Sequence, residues 1–257
     1  MKLSRLFTMF AAVAALGIFG TGCESLPPEE PIPVDIELGD LLKRMNSALD
    51  PSGSYAKADS YIQRQLLRTD RFLDDPQEEV VELQFEKPSR FRLTTYRDQE
   101  PVTAWIVNGD SGWIVNYSSK RSDIIRGKVL AQMKALTLLA TPDSSLEKVF
   151  SKIDLTGCRI DSIDYYKLSC RNPGDESLID IYVGKQDFLI HRIYAQIRTA
   201  GGSTNSLSTI RNYELRDGVM IPVETDIKTG SAHQTSQTIF YQLDAEIPPE
   251  QFMPPTF

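Results

Sequence analysis

The sequence predicts an α+β fold built from about 10–11 antiparallel strands and two or three helices. Two strand-rich blocks, and the segment between them, carry that expectation. From 80 to 125 apolar and polar residues alternate with period two, broken only at short turns; that period gives a strand one dry and one wet face. From 165 to 247 the alternation resumes. Residues 128–140 (KVLAQMKALTLLA), between the blocks, are helix formers throughout. Strands, then helix, then strands is α+β order rather than the β-α-β alternation of a parallel sheet. A chain of 257 residues with 41% hydrophobic content can bury one large core or two small ones. Neither an internal linker nor a repeat divides it.

The chain opens with Lys2 and Arg5, followed by an apolar run from 6 to 19. That run is short for a membrane span and has the length of a signal-peptide core, so 1–22 reads as a signal peptide. It ends Phe19-Gly20-Thr21-Gly22-Cys23. Small residues before a cysteine resemble the bacterial lipobox, in which the cysteine is lipidated. Gly20 departs from the aliphatic residue usual there, and an ordinary secretory signal is the competing reading. With Cys23 as the lipidation site, 23–35 is a Pro-rich tether. Its stretch SLPPEEPIPVD has no helical pattern and would extend roughly 3 Å per residue. Glu24, rather than Asp, follows the cysteine, which favours the outer membrane over the inner. The folded domain is then 36–257.

Leu38, Leu41, Leu42, Met45 and Leu49 recur at helical spacing, and Asp50-Pro51 stops the helix. Residues 54–67 read as a long first strand, although 62–67 also permit a helix. In the first block Val81, Leu83 and Phe85 alternate with Glu82, Gln84 and Glu86. Phe91 and Leu93 follow the Pro88-Ser89 break. Residues 102–107 run into Asn108-Gly109-Asp110, a hairpin turn, and 112–117 put Trp113, Val115 and Tyr117 on one face. The helix over 128–140 ends at Pro142. Ser144-Ser145-Leu146-Glu147 then has the capping pattern of a further helix reaching 153. Later strands are expected at 165–171, 178–184, 188–198, 207–215, 219–228 and 238–247, with loops at 200–205 and 230–233.

The net charge is −7, and it becomes −9 once Lys2 and Arg5 leave with the signal peptide. A nucleic-acid partner needs a basic face, and anionic lipid surfaces attract basic segments; this balance supplies neither. No G-x-S-x-G, P-loop or H-E-x-x-H occurs, so the sequence offers no nucleophile–base pair and reads as a non-enzyme. Of the two histidines, His191 shares a face with Leu189 and Ile193 and reads as a hydrogen-bonded core or cavity-wall residue. His233 reads as solvated in a polar loop. Neither has a partner at metal-ligand spacing, so no metal or cofactor is expected. Asp74-Asp75 and Glu78-Glu79 read as loop charges. With Cys23 assigned to lipid, Cys158 and Cys170 remain. In an exported domain two cysteines favour a disulfide, and the C-x-x-C spacing of a redox pair is missing.

Four stretches, 85–93 (FEKPSRFRL), 106–115 (IVNGDSGWIV), 212–222 (NYELRDGVMIP) and 247–252 (IPPEQF), resemble in order and spacing the bacterial outer-membrane lipoprotein-sorting proteins. These are the periplasmic carrier and outer-membrane receptor of the Lol pathway (LolA/LolB-like). The stretches span nearly the whole mature domain. The resemblance implies a half-open antiparallel β-barrel curled around the helices, an apolar cavity for acyl chains and no enzymatic activity. Phe91, Trp105, Trp113, Val115 and Tyr117 are then cavity-lining candidates, the competing reading being ordinary core or cross-strand packing. Arg92, otherwise a solvated face residue, would lie near the cavity mouth, where it could hydrogen-bond a helix end or a polar head group. The carrier of the family is soluble and its receptor has a protruding apolar loop; this chain reads as lipid-anchored, and no stretch of it is assigned to such a loop. Two functions therefore compete. One is a lipid-anchored periplasmic protein at the outer membrane that binds acyl chains of lipids or lipoproteins. The other is an envelope sensor or assembly factor that uses the same fold to bind a protein partner.

Overall fold

A computed structural model describes residues 28–70, 77–127, 130, 133, 146–171, 178–199, 202–230 and 232–257. Fourteen described strands form one antiparallel sheet. In chain order they are β1 (Glu30–Ile32), β2 (Ser60–Asp70), β3 (Gln77–Glu86), β4 (Arg90–Arg97), β5 (Glu100–Asn108), β6 (Ser111–Asn116) and β7 (Arg121–Ile124). The second half supplies β8 (Lys152–Ile160), β9 (Ile163–Arg171), β10 (Leu178–Gly184), β11 (Ile190–Thr199), β12 (Gly202–Arg216), β13 (Val219–Thr229) and β14 (Ala232–Leu243). Spatially they run β1-β8-β9-β10-β11-β12-β13-β14-β2-β3-β4-β5-β6-β7. The sheet does not close: β1 and β7 are its two edges. This is the half-open α+β barrel that the resemblance implies, with three more strands than expected. The additions are β1, β7 and β8.

Helix α1 (Leu38–Leu49) buries Leu41, Leu42, Met45 and Leu49. A fully buried side chain of this kind is worth about 1.5–3 kcal/mol, so the stripe fixes α1 on the sheet. The Asp50 carboxylate accepts the backbone N–H groups of Tyr55 and Ala56 at 3.3 and 3.2 Å. It thereby caps the four-residue helix α2 (Ser54–Lys57). Residues 54–57 are thus helical, and the strand expected from 54 starts at Ser60. The helix expected from 144 to 153 is only α3 (Leu146–Val149) over the described residues, because Lys152 already begins β8. Gly127, Leu130 and Met133 are helical and Met133 is buried; the rest of the helix expected over 128–140 lies outside the described residues, as do 1–27 with Cys23.

The Pro-rich tether needs correction at its C-terminal end. Glu30, Pro31 and Ile32 pair with Arg159, Cys158 and Gly157, so β1 extends the sheet past β8. The Glu29 carboxylate accepts hydrogen bonds from Lys167 Nζ at 3.0 Å and from the Tyr182 hydroxyl at 2.7 Å. Asp35 accepts from the Tyr166 hydroxyl and Lys185 Nζ, and Lys185 also reaches the Pro33 carbonyl. Pro31 tolerates this edge position because an edge strand needs only one row of donors. From Glu29 onward the segment belongs to the folded domain.

Candidate functional site

Residues directly opposite each other in a sheet share a face, so the register assigns every strand residue to one side. One face follows Leu168–Ile181–Ile193–Ser208–Ile227–Gln234–Thr69 across β9 to β2. It continues through Tyr61–Phe85–Phe91–Val107 to β5. The helices pack on this inner face. At one end α1 and α3 cover Tyr166, Leu168, Cys170, Ile181 and Ile193. At the other, Tyr55 of α2, Leu130 and Met133 cluster with Tyr61, Leu83, Phe85, Phe91 and Leu93. Burial pushes the Tyr61 phenol far above its ordinary pKa, so it stays neutral there.

Between the two apolar clusters the inner face turns polar. Ser206 and Ser208 on β12, Thr225 on β13, Gln234, Ser236 and Thr238 on β14, and Gln63, Gln65 and Thr69 on β2 are all buried. Several bond to one another. Gln234 Nε2 donates to Thr69 Oγ1 at 2.8 Å, Gln63 Nε2 donates to Thr238 Oγ1 at 3.2 Å, and Ser206 Oγ pairs with Thr229 Oγ1 at 2.9 Å. Every one of these side chains is uncharged.

The six cavity candidates divide between the faces. Phe91 and Trp105 lie on the inner face, Phe91 buried and Trp105 packed against the inner cluster beside Leu93 and Ile114. Arg92, Trp113, Val115 and Tyr117 lie on the outer face. There Trp113, Val115 and Tyr117 cluster with Ala104 and Ile106. The C-terminal tail covers them. Arg92 Nη1 donates to the Gln251 carbonyl at 2.7 Å, Arg92 Nη2 to the Tyr117 hydroxyl at 2.5 Å, and Asn108 Nδ2 to the Phe252 carbonyl at 3.4 Å. Phe257 packs edge-on against Tyr117. Arg92 does hold a helix end, the 3₁₀ turn Pro249–Phe252, but on the side away from α1. The Trp113 face is therefore tail-packed core rather than an inner wall; the inner residue on β6 is Ile114. The sequence shows that Trp113, Val115 and Tyr117 share a face without showing which one. The register with Leu83 and Phe85, fixed across β4, decides it.

The two cysteines also part company. Cys158 pairs with Tyr165 and Cys170 with Ile153, five positions along the hairpin, or roughly 16 Å at ~3.3 Å per residue. A disulfide needs Cα atoms within about 7 Å. Cys170 points inward with Leu168, whereas Cys158 clusters outward with Tyr165 and Tyr182. Both are free buried thiols, and the expected disulfide is not formed.

His191 is hydrogen-bonded as expected, its Nε2 2.8 Å from Asp187 Oδ2, but half-buried rather than in the core. It sits where the β10–β11 register shifts. His233 is not in a loop: it lies on β14 opposite Lys228 and Asp70. Among the described residues, no three His, Cys, Asp or Glu side chains gather as a metal site, and no helix is long and apolar enough to cross a membrane.

No protein-family model matches the sequence, and no curated protein matches it. Solved structures do. A LolA superfamily protein from Nitrosomonas europaea superposes with a TM-score of 0.60 at 13% identity, covering 85% of this chain and 98% of its own. A DUF1329 family protein from Desulfovibrio piger gives 0.58 at 12% identity, covering 83% and 94%. A Vibrio parahaemolyticus structure, described as an outer membrane lipoprotein-sorting protein domain, gives 0.57 at 11%, covering 83% and 95%. On the strength of its open antiparallel sheet and these superpositions, the chain has the LolA/LolB-like fold.

Proposed function

We propose that this protein is a non-catalytic binding protein of the bacterial cell envelope. It takes up acyl chains of lipids or lipoproteins on the inner face of its sheet, in lipoprotein sorting or transport at the outer membrane. The observation that carries the reading is the pair of apolar clusters under α1 and Tyr55, on the concave side of a sheet that never closes. An acyl chain moved there from water gains roughly 0.8 kcal/mol per buried methylene. The likeness in fold to a lipoprotein-sorting domain supports the same reading.

Lipid on Cys23 would hold the domain to the membrane. Five peptide units separate Cys23 from Pro28, a reach of at most about 18 Å at ~3.6 Å each. Docking of 29–35 on the sheet edge therefore keeps β1 and β8 next to the bilayer. The test is native mass spectrometry of the Cys23→Ser chain, expressed for export and purified without detergent. Co-purifying species with the mass of acylated molecules support the proposal. Bare protein, together with failure to bind a fluorescent fatty acid, rejects it in favour of a protein-binding role.

A further inference from the structure

Strand β14 is inside out. Its alternation AHQTSQTIFYQL buries Gln234, Ser236 and Thr238 and leaves Ile239 49% and Phe240 37% exposed. Strand β12 is inverted only at its N-terminal end, where Ser206 and Ser208 are buried while Leu207 is only partly so; farther on, the apolar Ile210 is buried. On β2 the buried positions opposite Gln234, Ser236, Thr238 and Tyr241 are Thr69, Leu67, Gln65 and Gln63, polar at all but Leu67. A buried polar residue is the informative departure from ordinary cores. Burying an amide or hydroxyl costs free energy that apolar residues of similar size would avoid. Sequences break this pattern mainly where function requires it.

The row is also not fully satisfied from within. Gln63 is 1% exposed, and its Nε2 donates to Thr238. Among the described residues its Oε1 accepts no hydrogen bond. Gln63 stands on the inner face between Tyr241 and Leu83. The row thus presents neutral donors and acceptors, with one acceptor open, and meets both apolar clusters: Ile210 stands beside Thr225, Ile227 between Ser208 and Gln234, and Leu67 beside Ser236. No lysine or arginine belongs to the row, so it has no countercharge for a carboxylate or phosphate, which burial would strongly disfavour unpaired.

Building on the acyl-binding reading, we infer that the row on β12, β13, β14 and β2 is a headgroup site for a neutral hydroxyl-bearing amphiphile, an acyl or alkyl glyceride or glycoside. The hydroxyl groups lodge against Gln63, Ser236 and Ser208, and the chain lies on one of the adjoining apolar clusters. A free fatty acid would use the apolar clusters alone.

The test titrates the Cys23→Ser chain by calorimetry with monolauroylglycerol, dodecyl maltoside and laurate, each below its critical micelle concentration. At least one neutral amphiphile should bind about tenfold tighter than laurate, and which one does so identifies glyceryl or glycosyl chemistry. In the triple variant Gln63→Met, Gln65→Met, Ser236→Ala that preference should vanish while laurate affinity stays within twofold. Gln84 has an open Oε1 too, but on the outer face, so Gln84→Met should keep the preference. Circular dichroism and thermal melting verify folding, and single Gln63→Met replaces the triple variant if that fails to fold. Equal affinities in the wild type, or a preference that survives the inner substitutions, overturns the headgroup site and leaves acyl binding standing. Absence of binding by all three probes overturns both.

Discussion

Gly157 on β8 faces the Ile32 carbonyl oxygen so closely that a Cβ at that position would lie 2.6 Å from it. Backbone cannot yield as a side chain can, so any residue other than glycine pushes β1 away. Release of β1 would strip Glu29 from Lys167 and Tyr182. Desolvation opposes the charge on Lys167, and the Glu29 and Asp180 carboxylates outweigh it, holding its pKa above the ordinary lysine value. Gly157→Ala should therefore cost about 1–3 kcal/mol. It should also open 28–35 to proteolysis while the rest of the chain stays resistant. Limited digestion followed by mass mapping reads this directly. An unchanged digestion pattern would mean that the segment is not held by the sheet edge.

The thiols give a second prediction. Burial, with the nearby Glu29 carboxylate adding to it, pushes the Cys158 thiol up to about 11, and burial pushes Cys170 up further. The thiolate is the reactive form. At pH 8 the folded Cys23→Ser chain should take up no alkylating reagent within the time that a free cysteine reacts fully. Unfolded in denaturant without reductant, it should take up two equivalents. Zero equivalents under denaturing conditions would reveal a disulfide after all and contradict the separation of the two residues on the hairpin.

Much of the fold is legible in the sequence, because β3 to β6 and β9 to β13 obey alternation and have short turns. The elements that escape do so for physical reasons. β8 reads KIDLTGCRI; it alternates over 152–156 and again over 158–160, but the phase breaks at Gly157, the residue that lies against β1, so neither short run stands out as a strand. β1 contains a proline and is three residues long, and it is stabilised by partners more than 100 positions away. The site is less legible than the fold. Alternation shows which residues share a face but not which face is covered. Trp113, Val115 and Tyr117 are apolar for the sake of the C-terminal tail, and Gln63, Ser208 and Ser236 look solvent-facing yet lie inside. Only the cross-strand register resolves both inversions.

The two tryptophans make the face assignment measurable. Trp105 on β5 pairs with Leu93 and Ile114 on the inner face, whereas Trp113 on β6 pairs with Ile106 on the outer face. An acyl chain entering the inner face meets the first and not the second. Addition of laurate should therefore change the emission of the wild type and of Trp113→Phe alike. In Trp105→Phe most of that change should be lost, although calorimetry still finds binding. A polar substitution separates the faces in another way. Val115 is fully buried under the tail side of the sheet, so Val115→Glu buries an unpaired carboxylate and should lower stability by several kcal/mol. Such a loss moves the melting temperature. Where the variant remains folded, laurate affinity should be close to that of the wild type, because the substituted side chain faces away from the ligand. A reversed pattern, with emission following Trp113 and binding lost at Val115, would put the acyl chain on the outer face beneath the tail.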